Sequence, residues 1–345
     1  MSSVSVVIPS YNYGHFLEEC VNSILHGQEG IDVQVVIVDD ASTDNSLEVA
    51  RRIAASDDRV EVIAHPENRG VSATNNDGLD RAGGDYCMVL NADDRLTPGA
   101  LRRAADLLDA KPNVGFAYGH PIHFREGSPI PEPRTTVRGW SVYPGRVWLE
   151  RRFREAKGCI TSPEVVVRTS VQKQVGGYDE RISHALDIEM WMRLAANADV
   201  GYLRGVDQAF YRIHGNNMSS RRPKPVDLIQ RKQAYDAILK RYASTWPDAG
   251  QLADAVNRKL AWEALWFVAR AYDRGRVRET PVDDLVAFAL DCWPTAEAMA
   301  VYRGLRVRQR IGPEAMPYLQ PLILTAVARW AQDWWWWRSW ERRGW

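Results

Sequence analysis

The sequence predicts an α/β fold, a mostly parallel sheet flanked by helices, followed by a helical C-terminal region. Three observations carry that expectation. Short β-branched runs alternate with longer helical patterns over the first 120 residues, the rhythm of βαβ units. Capping and helix-starting residues stand where those patterns begin: "STDNS" before one and "TPG", with Pro98, before another. From about Pro225 the alternation stops, and Trp, Leu and Ala recur at helical spacing.

Taken in order, strands are expected at "VSVVIP", "VQVVIVDD", "RVEVIAH", "YCMVLN" and "VGFAYG". Between them lie helices over His15 to Leu25, Ser46 to Ala55, Val71 to Ala82 and Ala100 to Ala110. Residues 121–158 have little periodicity, several prolines, many arginines and the aromatics Trp140, Tyr143 and Trp148; they read as an insertion or a long mobile loop on the acceptor side. "PEVVVR" then returns to strand, "DIEMWMRLAA" is an amphipathic helix and "QAFYRIHG" a further short strand. The expected organisation is one domain over residues 1–222 and a helical region over 223–345 that makes acceptor, oligomer or membrane-surface contacts.

At 345 residues the chain buries ample core without disulfides. With 44 basic and 44 acidic side chains the formal net charge is zero, so no global attraction to nucleic acid is expected. Cys20, Cys87, Cys159 and Cys292 are far apart and form no CxxC pair, which argues against a zinc site and suits a reducing cytosol. The start, "MSSVSVVIPSYNYG", has no basic segment ahead of its apolar run, so a cytoplasmic protein without a signal peptide is expected. No window offers the roughly 18 consecutive apolar residues of a membrane span. The best, "YLQPLILTAVARWAQDWWWW", is interrupted by Pro321, Arg329, Gln332 and Asp333, leaving at most a peripheral position at the inner membrane face.

In open parallel sheets, ligands collect outside the carboxyl ends of the strands. Here the first strand ends at Pro9, Ser10, Tyr11 and Asn12, the second at Asp39 and Asp40, the third leads into "HPENRG", and the fourth ends at Asn91, Ala92, Asp93 and Asp94. That mixture suits a nucleoside diphosphate: Tyr11 can stack on a base, Asp39 can accept from a base N–H, and Arg69 can meet phosphate or base. Asp93 can hold a hard cation such as Mg²⁺ or Mn²⁺ against the diphosphate. The absence of GxGxxG and GxxxxGK[ST] removes the main support for dinucleotide and P-loop readings.

In order and spacing, "VSVVIPSYNYGHFLEECVNSIL", "VVIVDDASTDNS", "HPENRGVSATNNDG" and "LNADD" resemble the nucleotide-binding half of family 2 glycosyltransferases with the GT-A fold. "LDIEMWMRLA" and "YRIHGNNMS" extend the resemblance over about residues 3 to 220. It implies that Pro9, Tyr11, Asp39 and Arg69 surround the nucleobase, with Asn12, Asn75 and Asn91 in the same donor-binding stretches. It implies Asn91, Ala92 and Asp93 as the counterpart of the family's Asp-x-Asp metal motif, and Asp187 as the catalytic base of an inverting transfer. The metal set expected is Asp93 with Asp94 and His214 as further candidates, and the donor first expected is a UDP-sugar. Two departures stand out: Asn91 replaces the first aspartate of the metal motif, and Leu186 replaces the glutamate beside the base.

Arg212 and His214 can face the diphosphate or serve structure, while His184, His120 and His123 read as structural. "WWWWRSWERRGW" can contact a membrane or pack as helices or a subunit interface, and consecutive tryptophans cannot share one helical face. Processive synthases of the family carry Gln-x-x-Arg-Trp. Here Arg329 and Trp330 are preceded by Ala326 at the glutamine position, which favours single addition to a glycan, lipid-linked or small-molecule acceptor. The rival readings are a non-catalytic carbohydrate-binding or scaffold protein with this fold, and a nucleotidyltransferase.

Overall fold

The computed structural model describes residues 1–182, 184–215, 217, 224–319, 334–335, 338–340 and 342–344. The chain divides into two compact units, one of residues 1–149, 158–220 and 339–345, the other of residues 150–157 and 221–338.

The first unit opens with β1 (Ser3–Ser10), α1 (Gly14–Leu25), β2 (Asp32–Asp39), α2 (Ser46–Ser56), β3 (Val60–Ala64), α3 (Val71–Arg81) and β4 (Tyr86–Val89). After these come β5 (Arg95–Leu96), α4 (Ala100–Ala110), β6 (Val114–Arg125), β7 (Trp140–Tyr143), α5 (Gly145–Glu155), β8 (Val165–Arg168), α6 (Thr169–Val175), α7 (Leu186–Ala195) and β9 (Asp199–Ile213). All the strands join one sheet in the order β3-β2-β1-β4-β8-β6-β9-β5, with β7 on β9. The half β3-β2-β1-β4 is parallel, as the alternation of strand and helix requires. Beyond β4 the sheet is mixed: β8 runs antiparallel to both β4 and β6, while β6 and β9 are parallel to each other.

The central strands are apolar on both faces because helices cover both. Val4, Val6, Val7 and Ile8 of β1 and Val35, Val36, Ile37 and Val38 of β2 are fully buried. Gly78 lets α3 lie close on β1, since a Cβ there would stand 2.2 Å from Val7 Cγ1. The sheet departs from expectation most over residues 121–158. β6 continues to Arg125, β7 and α5 follow, and residues 126–139, 144 and 156–158 lie outside strands and helices. The apolar stripe of α5, Trp148, Leu149 and Phe153, is interrupted by a buried arginine, Arg152, which hides its helical period in the sequence.

The second unit holds α8 (Lys224–Tyr242), α9 (Ala249–Asp273), α10 (Val282–Cys292), α11 (Ala300–Ile311) and α12 (Met316–Leu319). α9 is its core helix, with Leu252, Val256, Leu260, Ala264, Leu265 and Val268 buried. Arg231 of α8 pairs with Glu263 of α9 at 3.0 Å, and Arg308 of α11 with Asp273 at 2.7 Å. Both ion pairs are largely enclosed, so each charge depends on its partner.

The Trp-rich end is divided in its behaviour. Trp340 is buried in the first unit, donates its indole N–H to the Cys159 carbonyl at 2.9 Å and packs edge-on against His120 at 4.3 Å. Trp334 and Trp335 are exposed. Trp336 and Trp337, like Arg329, Trp330 and Trp345, lie outside the described residues. All four cysteines are free and buried. Among the described residues, no helix is long and apolar enough to cross a membrane.

Candidate active site

Register brings the strand ends level: Ser10 of β1 pairs with Asp39 of β2, and Asp39 with Ala64 of β3. The strand order reverses direction at β1, where β4 lies on the side opposite β2. A crevice at the carboxyl ends of β1 and β4 is therefore the expected ligand position.

On the β1–β2 side, Tyr11 is exposed, while Asp39 is buried with Oδ2 accepting from the Ser42 N–H at 3.1 Å. Among the described residues, Asp39 Oδ1 and the Ser10 hydroxyl have no hydrogen-bond partner. A buried acceptor without a donor costs about 1–3 kcal/mol, and a ligand N–H would remove that cost. Pro9 is half-buried one residue before the strand end. Asn12 adopts the left-handed conformation (φ 60°) and accepts from the Thr43 N–H at 2.8 Å, tying the β1–α1 loop to the β2–α2 loop.

Asp40 does not cap α2. It accepts from the backbone N–H groups of Arg69 and Gly70 at 2.8 and 2.9 Å and so fixes the turn into α3. Burial works to raise its pKa, but these donors and His65 outweigh it and hold the carboxyl below its usual value. His65 bridges Asp40 (2.8 Å) and Asp77 (2.9 Å), and the Arg69 guanidinium also pairs with Asp77. Arg69 is thereby held with its guanidinium half exposed. Asn75 is buried with Oδ1 unpartnered, while its neighbour Asn76 bonds both the N–H and the carbonyl of Tyr178.

On the β4 side, Asp93 and Asp94 follow the strand and are both buried. Asp93 Oδ2 lies 2.9 Å from His214 Nε2 and 3.4 Å from Asn217 Nδ2, and Oδ1 makes no hydrogen bond among the described residues. Asp94 Oδ1 accepts from the Arg212 N–H at 2.9 Å, and Asn91 Nδ2 lies 3.5 Å from Oδ2. Burial, then repulsion from Asp93, pushes the Asp94 carboxyl well above its usual pKa. Asp94 thus joins β4 to β9, whereas Asp93 keeps an oxygen in reserve. The His214 ring packs on Tyr13 and Phe16 with Nε2 on Asp93, so in this arrangement it orients that carboxylate. Arg212 Nε donates to the Asp93 carbonyl at 2.9 Å, its guanidinium pairs with Glu19, and it sits over the Phe16 and Phe124 rings. Among the described residues, no three His, Cys, Asp or Glu form a metal cluster.

Asp187 lies in the first turn of α7, preceded by Ala185 at the N-cap, and accepts from the Ser162 hydroxyl. Burial pushes its carboxyl up to about 6, against the Ser162 hydrogen bond, which lowers it. Ser162 is held at φ 102°, a conformation costly for any side chain. Nearby Glu164 is buried and raised to about 8, first by burial, despite accepting from the Thr161 N–H at 2.6 Å. Ser162 carries no signal in the sequence beyond a Ser-Pro turn, because its contact is made 25 residues away. His120 reaches the Tyr202 hydroxyl at 2.7 Å inside the sheet, a structural role.

The model of the glycosyl transferase family 2 matches residues 5–172. The putative teichuronic acid biosynthesis glycosyltransferase TuaG of Bacillus subtilis is 26% identical over 267 residues, 74% of this chain and 97% of that protein. The chondroitin synthase of Pasteurella multocida is 26% identical over 219 residues, 63% of this chain; the match spans only 21% of that longer protein. Among solved structures, S. aureus TarS 1–349 in complex with UDP-GlcNAc aligns with a TM-score of 0.61 at 18% identity, covering 92% of this chain and 90% of that one, a likeness of fold. The ordered strand-end motifs, the sheet that levels them and these matches agree: residues 5–172 match glycosyltransferase family 2, and the fold is that of GT-A glycosyltransferases.

Proposed function

We propose that the chain transfers a sugar from a nucleoside-diphosphate sugar, a UDP-sugar in the first instance, to an acceptor hydroxyl. The observation that carries the donor reading is the buried Asp39 Oδ1 without a donor, beside exposed Tyr11 and on the sheet edge shared with Asp93. A uracil ring offers one N–H to that oxygen and one face to Tyr11. Arg69, Asn75 and Asn91 line the same stretches, with Asn12 shaping the loop.

A divalent cation, Mg²⁺ or Mn²⁺, fits the donor set: Asp93 has one unengaged carboxylate oxygen, and the diphosphate would complete a shell of hard oxygens. When bound, such an ion supplies stabilisation of the charge that develops on the leaving phosphate. Asp187 takes the proton of the acceptor hydroxyl. The acceptor oxygen then bonds to the anomeric carbon as the bond to the diphosphate breaks, inverting that carbon and releasing the nucleoside diphosphate. The names of the relatives support a place in cell-surface polysaccharide synthesis, with a glycan or lipid-linked acceptor.

Thermal shift tests the donor site. UDP with Mn²⁺ is expected to raise the melting temperature more than GDP or dTDP, and Asp39→Ala to weaken UDP binding by about 10- to 100-fold. Equal response to every nucleotide, or none, sinks the base-recognition role.

Asp187 must be unprotonated to act, so transfer is expected to rise with pH through an apparent value near 6 and to be lost below it. A rate that is flat from pH 5 to 8 would place the base elsewhere.

Peripheral membrane contact is supported by α11, where Arg303, Arg306 and Arg310 stand exposed on one stripe with Val307 and Ile311, and by exposed Trp334 and Trp335. Reversing the three arginines to Glu is expected to abolish sedimentation with phosphatidylglycerol vesicles and leave the weak response to phosphatidylcholine unchanged. Self-association in light scattering without vesicle binding would assign the surface to a homo-oligomer.

A further inference from the structure

Two costs are stored in the short segment that leads into β8, and both face the same region. Ser162 sits at φ 102° while its hydroxyl bonds Asp187. Glu164, 1% exposed, engages one of its two carboxylate oxygens, the other having no hydrogen-bond partner among the described residues. Natural cores rarely leave such an atom unpaired, and strained residues persist where surrounding structure has a use for them. Position suggests the use. Glu164 stands two residues from Ser162, whose hydroxyl bonds the proposed base Asp187, and its carboxyl feels the charge of Asp187 and is felt by Asp94. A transferred sugar has to span that interval, with its anomeric carbon between leaving phosphate and acceptor.

We propose that Glu164 is the residue that reads the donor's sugar ring, its unpartnered Oε2 taking a ring hydroxyl when the donor binds and segment 160–164 yielding from its strained form to do so. The proposal rests on the nucleotide-sugar reading above and adds to it a sugar subsite outside the base and diphosphate contacts. Burial favours the neutral form of the carboxyl, which offers the hydroxyl both a donor and an acceptor, and glutamine would offer the same pair. An apolar side chain would leave the sugar hydroxyl buried and unpaired, the situation in which polar sites discriminate most strongly.

Calorimetry with Mn²⁺ tests this, using UDP and four donors: UDP-glucose, UDP-galactose, UDP-GlcNAc and UDP-glucuronate. Whichever sugar wild type binds most tightly relative to UDP should bind Glu164→Leu about 10- to 100-fold more weakly, with UDP affinity preserved, and Glu164→Gln should recover most of that loss. Unchanged UDP affinity also reports that the variant is folded; should Glu164→Leu fail to fold, Glu164→Met replaces it. Wild type titrated with monodeoxy forms of the chosen donor should show a similar loss at one ring position. Equal weakening of UDP and UDP-sugar, an unaffected UDP-sugar, a glutamine variant as weak as leucine, or no sensitive ring position each overturns the proposal alone. Failure of wild type to bind UDP at all overturns the nucleotide reading first.

Discussion

Asp187→Asn is expected to lower sugar transfer by about 10²- to 10⁴-fold, the usual contribution of a positioned general base, while UDP binding stays near that of wild type. The substitution is a clean one. Asparagine keeps an oxygen that can accept from the Ser162 hydroxyl, so the strained loop and the first turn of α7 retain their tie. What it loses is the ability to take a proton. The rise of rate through pH 6 should vanish with it, since that limb belongs to the raised Asp187 carboxyl. Single-turnover transfer measured beside UDP calorimetry checks both halves, and near wild-type transfer in a UDP-binding variant would show that another group removes the proton. The non-catalytic reading is tested by the same pair of measurements on wild type: no transfer and no donor hydrolysis, with UDP bound, would favour it.

The second large effect is expected at Asp93. Its truncation to alanine removes the carboxylate oxygen that is unengaged, the only charge at the head of the motif now that Asn91 stands in the other position. Metal stabilisation of a leaving phosphate is worth several kcal/mol, so the rate should fall by roughly 10²- to 10³-fold, and raising Mn²⁺ should not restore it. Asp94 should behave differently. Both of its oxygens face the chain, towards the Arg212 N–H and Asn91, so Asp94→Asn is expected to lower melting temperature more than it changes metal dependence. A Mn²⁺ titration of rate for each variant, beside its thermal midpoint, separates the roles; identical metal dependence in wild type and Asp93→Ala would remove the cation from Asp93.

The parallel half of the sheet was legible in the sequence because local and global signals agree there. Val and Ile runs buried on both faces, short loops and regular helices specify the same βαβ arrangement. The stretch 121–158 was not legible because its elements break the pattern from within: Pro121 lies inside β6, and Arg152 is buried on the inner face of α5. Nor could the turn to antiparallel pairing at β8 be read, as "PEVVVR" says strand but not direction. At the candidate site, the placement of Asp39 and Asp93 after strands and of Asp187 in the first turn of a helix was readable from motif order. That Asn12 serves the loops, that Asp40 fixes the turn at Gly70 and that Glu164 lies near Asp187 depend on contacts between distant segments, which spacing does not encode.

The Trp340 hydrogen bond to Cys159 links positions 181 residues apart. Closing a loop of that length costs conformational entropy, and at about 5–20 residues per second of synthesis the partner arrives roughly 10–40 s after Cys159. The segment that follows Cys159 leads to Ser162 and Glu164, so this one tie to it forms only after residue 340 has left the ribosome, while its bonds to Asp187 and the sheet form earlier.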